Sequence, residues 1–171
     1  MKPKTQKGYI SATIDRAGVA LINKWAINTV PQERLFFIKV DNKLEGGFVA
    51  EEAHLTLFFG LDNRLIDKEK VSNLIDSLHI PPLEISGLGI FSVKKPDCNI
   101  LYLGISDNDG NLKRIHDRFL EFPHFKEDQS PFTPHITIAY VRRDFDENSV
   151  EYHGPPQILI SKIEYKEYNG D

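Results

Sequence analysis

At 171 residues, with 40% hydrophobic and 27% charged side chains, the chain has the makeup of an ordinary globular protein and enough length to bury a real core as one domain or two small lobes. Its net charge of −4 argues against a broad phosphate-gripping surface, which needs clustered Lys and Arg, and restricts any nucleic-acid contact to a local one. No apolar run approaches the roughly 18 residues of a membrane span, and no apolar leader core follows the basic, polar segment Met1-Lys2-Pro3-Lys4-Thr5-Gln6-Lys7, so neither a signal peptide nor a membrane association is expected.

Residues 1–7 read as a loose flexible tail, and 8–168 as a single domain. Gly8-Tyr9-Ile10-Ser11-Ala12-Thr13-Ile14 alternates and predicts a strand, with Tyr9, Ser11 and Thr13 on one face and Ile10, Ala12 and Ile14 on the other. Asp15 is placed to cap a helix over 17–28, and Pro31 closes that stretch. A second strand is expected over 34–40, with turn signals at Asp41-Asn42-Lys43 and Gly46-Gly47. A short strand over 54–59 follows, and Gly60 ends it. A helix over 67–78 places Val71, Leu74, Ile75 and Leu78 at helical spacing, and Pro81-Pro82 breaks the chain. Strands over 83–93 and 100–106, joined by Lys94-Lys95-Pro96-Asp97, precede an Asp109-Gly110 turn and a helix over 111–122. Strands over 135–141 and 157–168 complete the order. Strand–helix alternation with short hairpins predicts an α+β domain rather than a doubly wound sheet. Each half also contains an apolar strand that opens with H-x-T, with a helix nearby in sequence. This weak internal repeat points to two related lobes facing each other.

The motifs His54-Leu55-Thr56 and His135-Ile136-Thr137 carry the chemistry. In a strand, residues i and i+2 share a face, so His54 and Thr56 project together while Leu55 and Leu57 take the core side. His135 and Thr137 repeat this against Ile136 and Ile138. Phosphodiester cleavage can use this set: a neutral His takes a proton from the attacking oxygen, a protonated His returns one to the leaving oxygen, and the Thr hydroxyls hold non-bridging oxygens. No metal or other cofactor is then required. Six His and six Thr in this chain give about 0.2 such triplets by composition alone, so one match means little and two, each opening an apolar strand, mean much more. Structural histidines bonded to backbone would give the same local pattern.

His54-Leu55-Thr56-Leu57-Phe58-Phe59-Gly60 and Phe132-Thr133-Pro134-His135-Ile136-Thr137-Ile138-Ala139 resemble the two motifs of the 2H phosphoesterase superfamily, which includes the 2′-5′ RNA ligase-like proteins and the 2′,3′-cyclic phosphodiesterases. The hairpin with Gly87-Leu88-Gly89-Ile90-Phe91 and Ile100-Leu101-Tyr102-Leu103-Gly104 resembles the family's central hairpin, and Ile158-Leu159-Ile160-Ser161-Lys162-Ile163-Glu164-Tyr165 resembles its closing strand. The resemblance implies a bilobal α+β fold: two antiparallel β-sheet lobes with helices on the outside, and a central cleft carrying one H-x-T motif per lobe. It implies metal-independent cleavage of cyclic phosphates or 2′-5′ linkages, with His54 and His135 as the acid–base pair and Thr56 and Thr137 as phosphate holders. Many ligase-like members carry Arg after the second motif's apolar pair; here the position is Tyr140, which weighs against tight binding of a polyphosphate or long RNA. The stretch 34–50 is longer than a minimal member needs and is expected to add a strand pair or a lid.

Tyr9, Ser11, Tyr102, Phe58 and Tyr140 are the further candidates for substrate contact, Phe58 because parity places it on the His54 face. Phe91 and Phe132 read as packing residues. His79, His116, His124 and His153 lack a Thr at i+2, and His116 and His124 lack helical ligand spacing. The single cysteine, Cys98, allows neither an internal disulfide nor a Cys-based zinc site, and a cytoplasmic setting follows most simply. The expected partner is a small nucleotide or an RNA 3′ end, taken by a monomer. The leading expectation is a phosphodiesterase that opens 2′,3′-cyclic phosphates. The competing expectations are an enzyme for 2′-5′-linked or cyclic oligonucleotides, and a nucleotide- or RNA-binding module without turnover.

Overall fold

Within residues 6–49, 53–129 and 131–168, the computed structural model contains strands β1 (Lys7–Ile14), β2 (Phe37–Val40), β3 (Lys43–Gly46), β4 (His54–Asp62), β5 (Leu83–Val93), β6 (Cys98–Ile105), β7 (His135–Val141), β8 (Gln157–Ile158) and β9 (Ile160–Glu167). Its α-helices are α1 (Arg16–Thr29), α2 (Lys68–Asp76) and α3 (Asn111–Phe119). No helix among the described residues is long and apolar enough to cross a membrane.

Local chemistry sets most boundaries. The Asp15 carboxylate accepts the Gly18 N–H at 3.4 Å and starts α1. Asp67 accepts the Glu69 and Lys70 N–H groups at 3.1 and 3.2 Å, so α2 opens one residue after it. Asp41 and Asn42 take φ of 46° and 65°, and this pair of left-handed residues turns β2 back on β3. Several expectations shift. Lys7 belongs to β1, where its ammonium pairs with Asp128 at 2.8 Å. Arg34 lies in a 3₁₀ turn (Gln32–Arg34) before β2. Gly60 does not end β4: at φ +96° it forms a bulge, opposite the step from Gly8 to Tyr9, and the strand runs on to Asp62.

Seven strands form one antiparallel sheet in the order β8-β5-β6-β7-β4-β1-β9. One face buries Ile10, Ala12, Leu55, Leu57, Leu101, Leu103, Ile136 and Ile138 in a core shared with Ile22 and Trp25 of α1 and Leu112, Ile115 and Phe119 of α3. The expected strand over 157–168 breaks at Leu159. Ile158 pairs with Leu83 at one edge of the sheet and Ile160 with Ile14 at the other. One short stretch of chain thus joins the two edges, which requires the sheet to curl.

Two half-sheets, β8-β5-β6-β7 and β4-β1-β9, meet at a single residue pair, Leu55 opposite Ile136. The reason lies in the longer stretch before the first motif. Beyond Ile136 it takes over the β7 edge that β4 would otherwise occupy: Val49 N–H donates to Ile138 O, Tyr140 N–H to Gly47 O, and Phe36 N–H to Tyr140 O, each at 2.9 Å. With its partner edge filled, β4 diverges from β7, and a cleft opens between two lobes.

Candidate active site

The two motif strands are built alike. Along β4, His54 and Thr56 are half-buried, Leu55, Leu57 and Phe58 are buried, and Phe59 emerges again. Along β7, His135 and Thr137, then Ile136, Ile138 and Ala139, then Tyr140, follow the same sequence of exposures. In both strands the register slips by one residue after the Thr: Ile10 pairs with Phe58 but Ser11 with Thr56, and Leu101 pairs with Ala139 but Tyr102 with Thr137. A bulge at Leu57 and another at Ile138 therefore invert the alternation. This corrects the parity argument for Phe58. Its ring is 1% exposed and packs at 6.1 Å from Phe119 and 5.1 Å from His116, on the core side. Phe59 is the counterpart of Tyr140. The sequence carried a signal for it, since each lies five residues after its motif histidine.

Leu55 opposite Ile136 in an antiparallel pair sets His54 across from Thr137 and Thr56 across from His135. The two histidines are then diagonal neighbours on one face, at a spacing of about 7–8 Å. The two imidazoles line separate cavities: His54, Thr137, Tyr140 and Val49 line one, and Thr56 and His135 line another.

The surroundings of the two imidazoles differ. Phe91 and Tyr102 stack at 4.1 Å, and both present their rings at steep angles to His135, at 4.9 and 5.4 Å. Gly89 lies opposite Tyr102, where a Cβ would collide with the phenol ring. His135 Nδ1 bonds the Thr133 carbonyl at 2.7 Å. A carbonyl only accepts, so Nδ1 carries the hydrogen and Nε2 keeps its lone pair when the ring is neutral. Burial pushes the His135 pKa below its ordinary value; the Thr133 carbonyl opposes this and the charge of His54 adds to it. On the other side, Tyr9 lies 6.3 Å from His54 and 6.4 Å from Phe59. Ser11 shares the motif face opposite Thr56 but is fully buried, with no hydrogen-bond partner for its hydroxyl among the described residues, so its expected contact with substrate is withdrawn.

The recess beside His135 and Thr56, about 210 Å³, also holds Phe91 and Phe132, both expected only to pack, and His116, for which no role was expected. The His116 ring stacks on Phe132 at 4.6 Å, and its Nδ1 meets Asp117 at 3.1 Å. Local sequence gave no signal for His116, because α3 is distant from both motifs in the chain. His124 lies against Phe58, with Nδ1 bonded to the Phe122 carbonyl at 2.8 Å.

Residues 32–158 match the family model described as the 2′-5′ RNA ligase superfamily. That range holds both H-x-T motifs and leaves β1 and β9 outside. No curated protein matches the chain. Among solved structures, E. coli LigT complexed with 3′-AMP matches at a TM-score of 0.59 and 16% identity, over 96% of this chain and 87% of that one. LigT complexed with NADP+ gives 0.61 at 15% identity, over 95% and 87%. A structure described as a phosphoesterase gives 0.63 at 17% identity, over 95% and 87%. Identities this low establish a shared fold: the mixed α+β architecture that the sequence predicted, built on one large antiparallel sheet in place of two separate ones.

Proposed function

We propose that this chain, which belongs to the 2′-5′ RNA ligase superfamily, is a metal-independent phosphodiesterase that opens 2′,3′-cyclic phosphates on RNA ends or nucleotides by two-histidine acid–base catalysis. The observation that carries the reading is the pairing of Leu55 with Ile136, which turns two separate H-x-T motifs into one polar face with diagonal imidazoles. The nucleotides bound by LigT, 3′-AMP and NADP+ among them, support a substrate of this size.

The roles follow from the surroundings. His135 is held as the neutral tautomer with Nε2 free to accept, and its lowered pKa favours the base form near neutral pH. It takes a proton from water as the water oxygen bonds to phosphorus. The bond from phosphorus to one ribose oxygen breaks, and His54, protonated, gives that oxygen its proton. The product is a ribose phosphomonoester. Thr56 and Thr137 donate to the non-bridging oxygens, whose charge grows in the transition state. Phe91 and Tyr102 offer a flat apolar surface for the base, a contact worth about 1–3 kcal/mol in other nucleic-acid sites. Both motifs lie on one chain, so a monomer suffices.

The test is turnover of adenosine 2′,3′-cyclic phosphate in excess chelator, with products resolved by mass spectrometry. Activity that survives the chelator and is lost in His54→Ala and in His135→Ala is the expected result. Full activity in either variant overturns the reading.

A further inference from the structure

Beyond His54 the motif face continues across β1 to β9. Tyr9 pairs with Lys166, Ser11 with Glu164 and Thr13 with Lys162, so β9 presents a Lys-Glu-Lys row to the same face as the histidines. Lys162 lies two inter-strand steps straight across from His54, about 10 Å, and Lys166 follows four residues further along β9, about 13 Å. A cavity of about 630 Å³ joins His54 to Lys166 and is lined also by Tyr9, Thr13, Asn23 and Arg16. Lys162 and Lys166 share one acceptor, Glu164, at 3.3 and 3.4 Å, and Arg16 adds a further charge. Arg16 and Lys166 thus bring two cations to the wall of this recess, on a chain of net charge −4. The recess on the His135 side is its opposite: it is walled by aromatic rings and carries Asp128. An anion is favoured beside His54 and a base beside His135.

Building on the phosphodiesterase reading, we infer that Arg16 and Lys166 form a second phosphate subsite, which holds the phosphate on the 5′ side of the nucleoside whose cyclic phosphate lies over the histidines. The preferred substrate is then an RNA end or a 5′-phosphorylated nucleotide, rather than a bare nucleoside cyclic phosphate. Arg16 and Lys166 both lie outside the segment that matches the family model. Arginine supplies paired donors to phosphate oxygens and lysine a point charge.

The test is isothermal titration of the whole protein with two probes, adenosine 3′-monophosphate and adenosine 3′,5′-bisphosphate. The bisphosphate is expected to bind about tenfold tighter, the factor that one charge-assisted contact on a partly exposed surface supplies. In Arg16→Ala/Lys166→Ala the ratio should collapse to about one, with each single variant in between. Lys70→Ala, which removes an exposed cation on α2, should keep the full ratio. Equal affinity for the two probes in the unaltered protein, no binding of either, or a ratio that survives the double variant, overturns the subsite. Turnover of adenosine 2′,3′-cyclic phosphate by the same samples reports on the phosphodiesterase reading alone: its absence defeats that reading, while the ratio of affinities still decides the subsite.

Discussion

The β4 and β7 strands present the same H-x-T frame, the same bulge after the Thr and an aromatic ring at the same offset, yet their histidines meet different worlds. His135 is half-buried among Phe91, Tyr102 and the Thr133 carbonyl. His54 opens on a recess that carries the cations Arg16 and Lys166 beside Tyr9. Two copies of one motif thus supply two identical chemical groups, and the residues packed around them make those groups unequal. Acid–base catalysis needs that inequality, because one imidazole must arrive neutral and the other charged.

The comparison can be broken by experiment. The largest effect is expected from removing either imidazole: His54→Ala and His135→Ala should each lower kcat by about 10²–10⁴-fold on a cyclic nucleotide, measured by initial rates. A large effect in only one variant would break the pairing of the two motifs. Next comes the bulge. Phe58→Ala should cost about 3–5 kcal/mol in denaturant melts, as for a fully buried ring, whereas Phe59→Ala should leave the melt nearly unchanged and act on KM. Equal stabilities would mean that the alternation is not inverted at Leu57. Thr56→Ala and Thr137→Ala should each reduce kcat by about 10²-fold if their hydroxyls donate to the phosphoryl oxygens. Gly89→Ala should displace the Tyr102 ring beside His135 and raise KM a few-fold, with the Tyr102→Ala variant as the reference for loss of the ring.

The smallest effect is a displacement along the pH axis. The proposed base, His135, works only when neutral, and burial holds its pKa below the usual histidine value. The rate therefore stays on as pH falls through about 6.5, the unperturbed value, and declines only at more acid pH, where the folded-state imidazole takes up its proton. An acid limb of kcat/KM centred above about 6.5 would contradict the base role of His135.

Much of the fold was legible because its signals are local. Alternation marked Ile10, Ala12 and Ile14 as core, Asp15 as a cap, and Asp41-Asn42 as a turn, since each depends on residues within one or two turns of chain. The H-x-T pattern placed the His and Thr of each motif on one face for the same reason: a shared face follows from the pleat of a strand alone. The face assigned to Phe58 by parity was wrong because a bulge depends on the partner strand, which no local window contains, although Phe58 still lines the recess beside Thr56 and His135. Ser11 failed because burial depends on side chains brought over a face by distant parts of the chain, which no local window contains.

What the sequence by itself determined is the set of parts: two histidines, two threonines, and apolar backs that keep each pair together on a strand. Only the tertiary structure decided how the parts meet. It set Leu55 against Ile136, filled the rest of the β7 edge with the 34–49 segment, brought Phe91 and Tyr102 to one imidazole and Arg16 and Lys166 toward the other. These contacts span tens of residues of chain, and their energy comes from burial and sheet pairing rather than from neighbours in sequence. Identical motifs can therefore be read from one strand at a time, while their division of labour exists only once both lobes are folded.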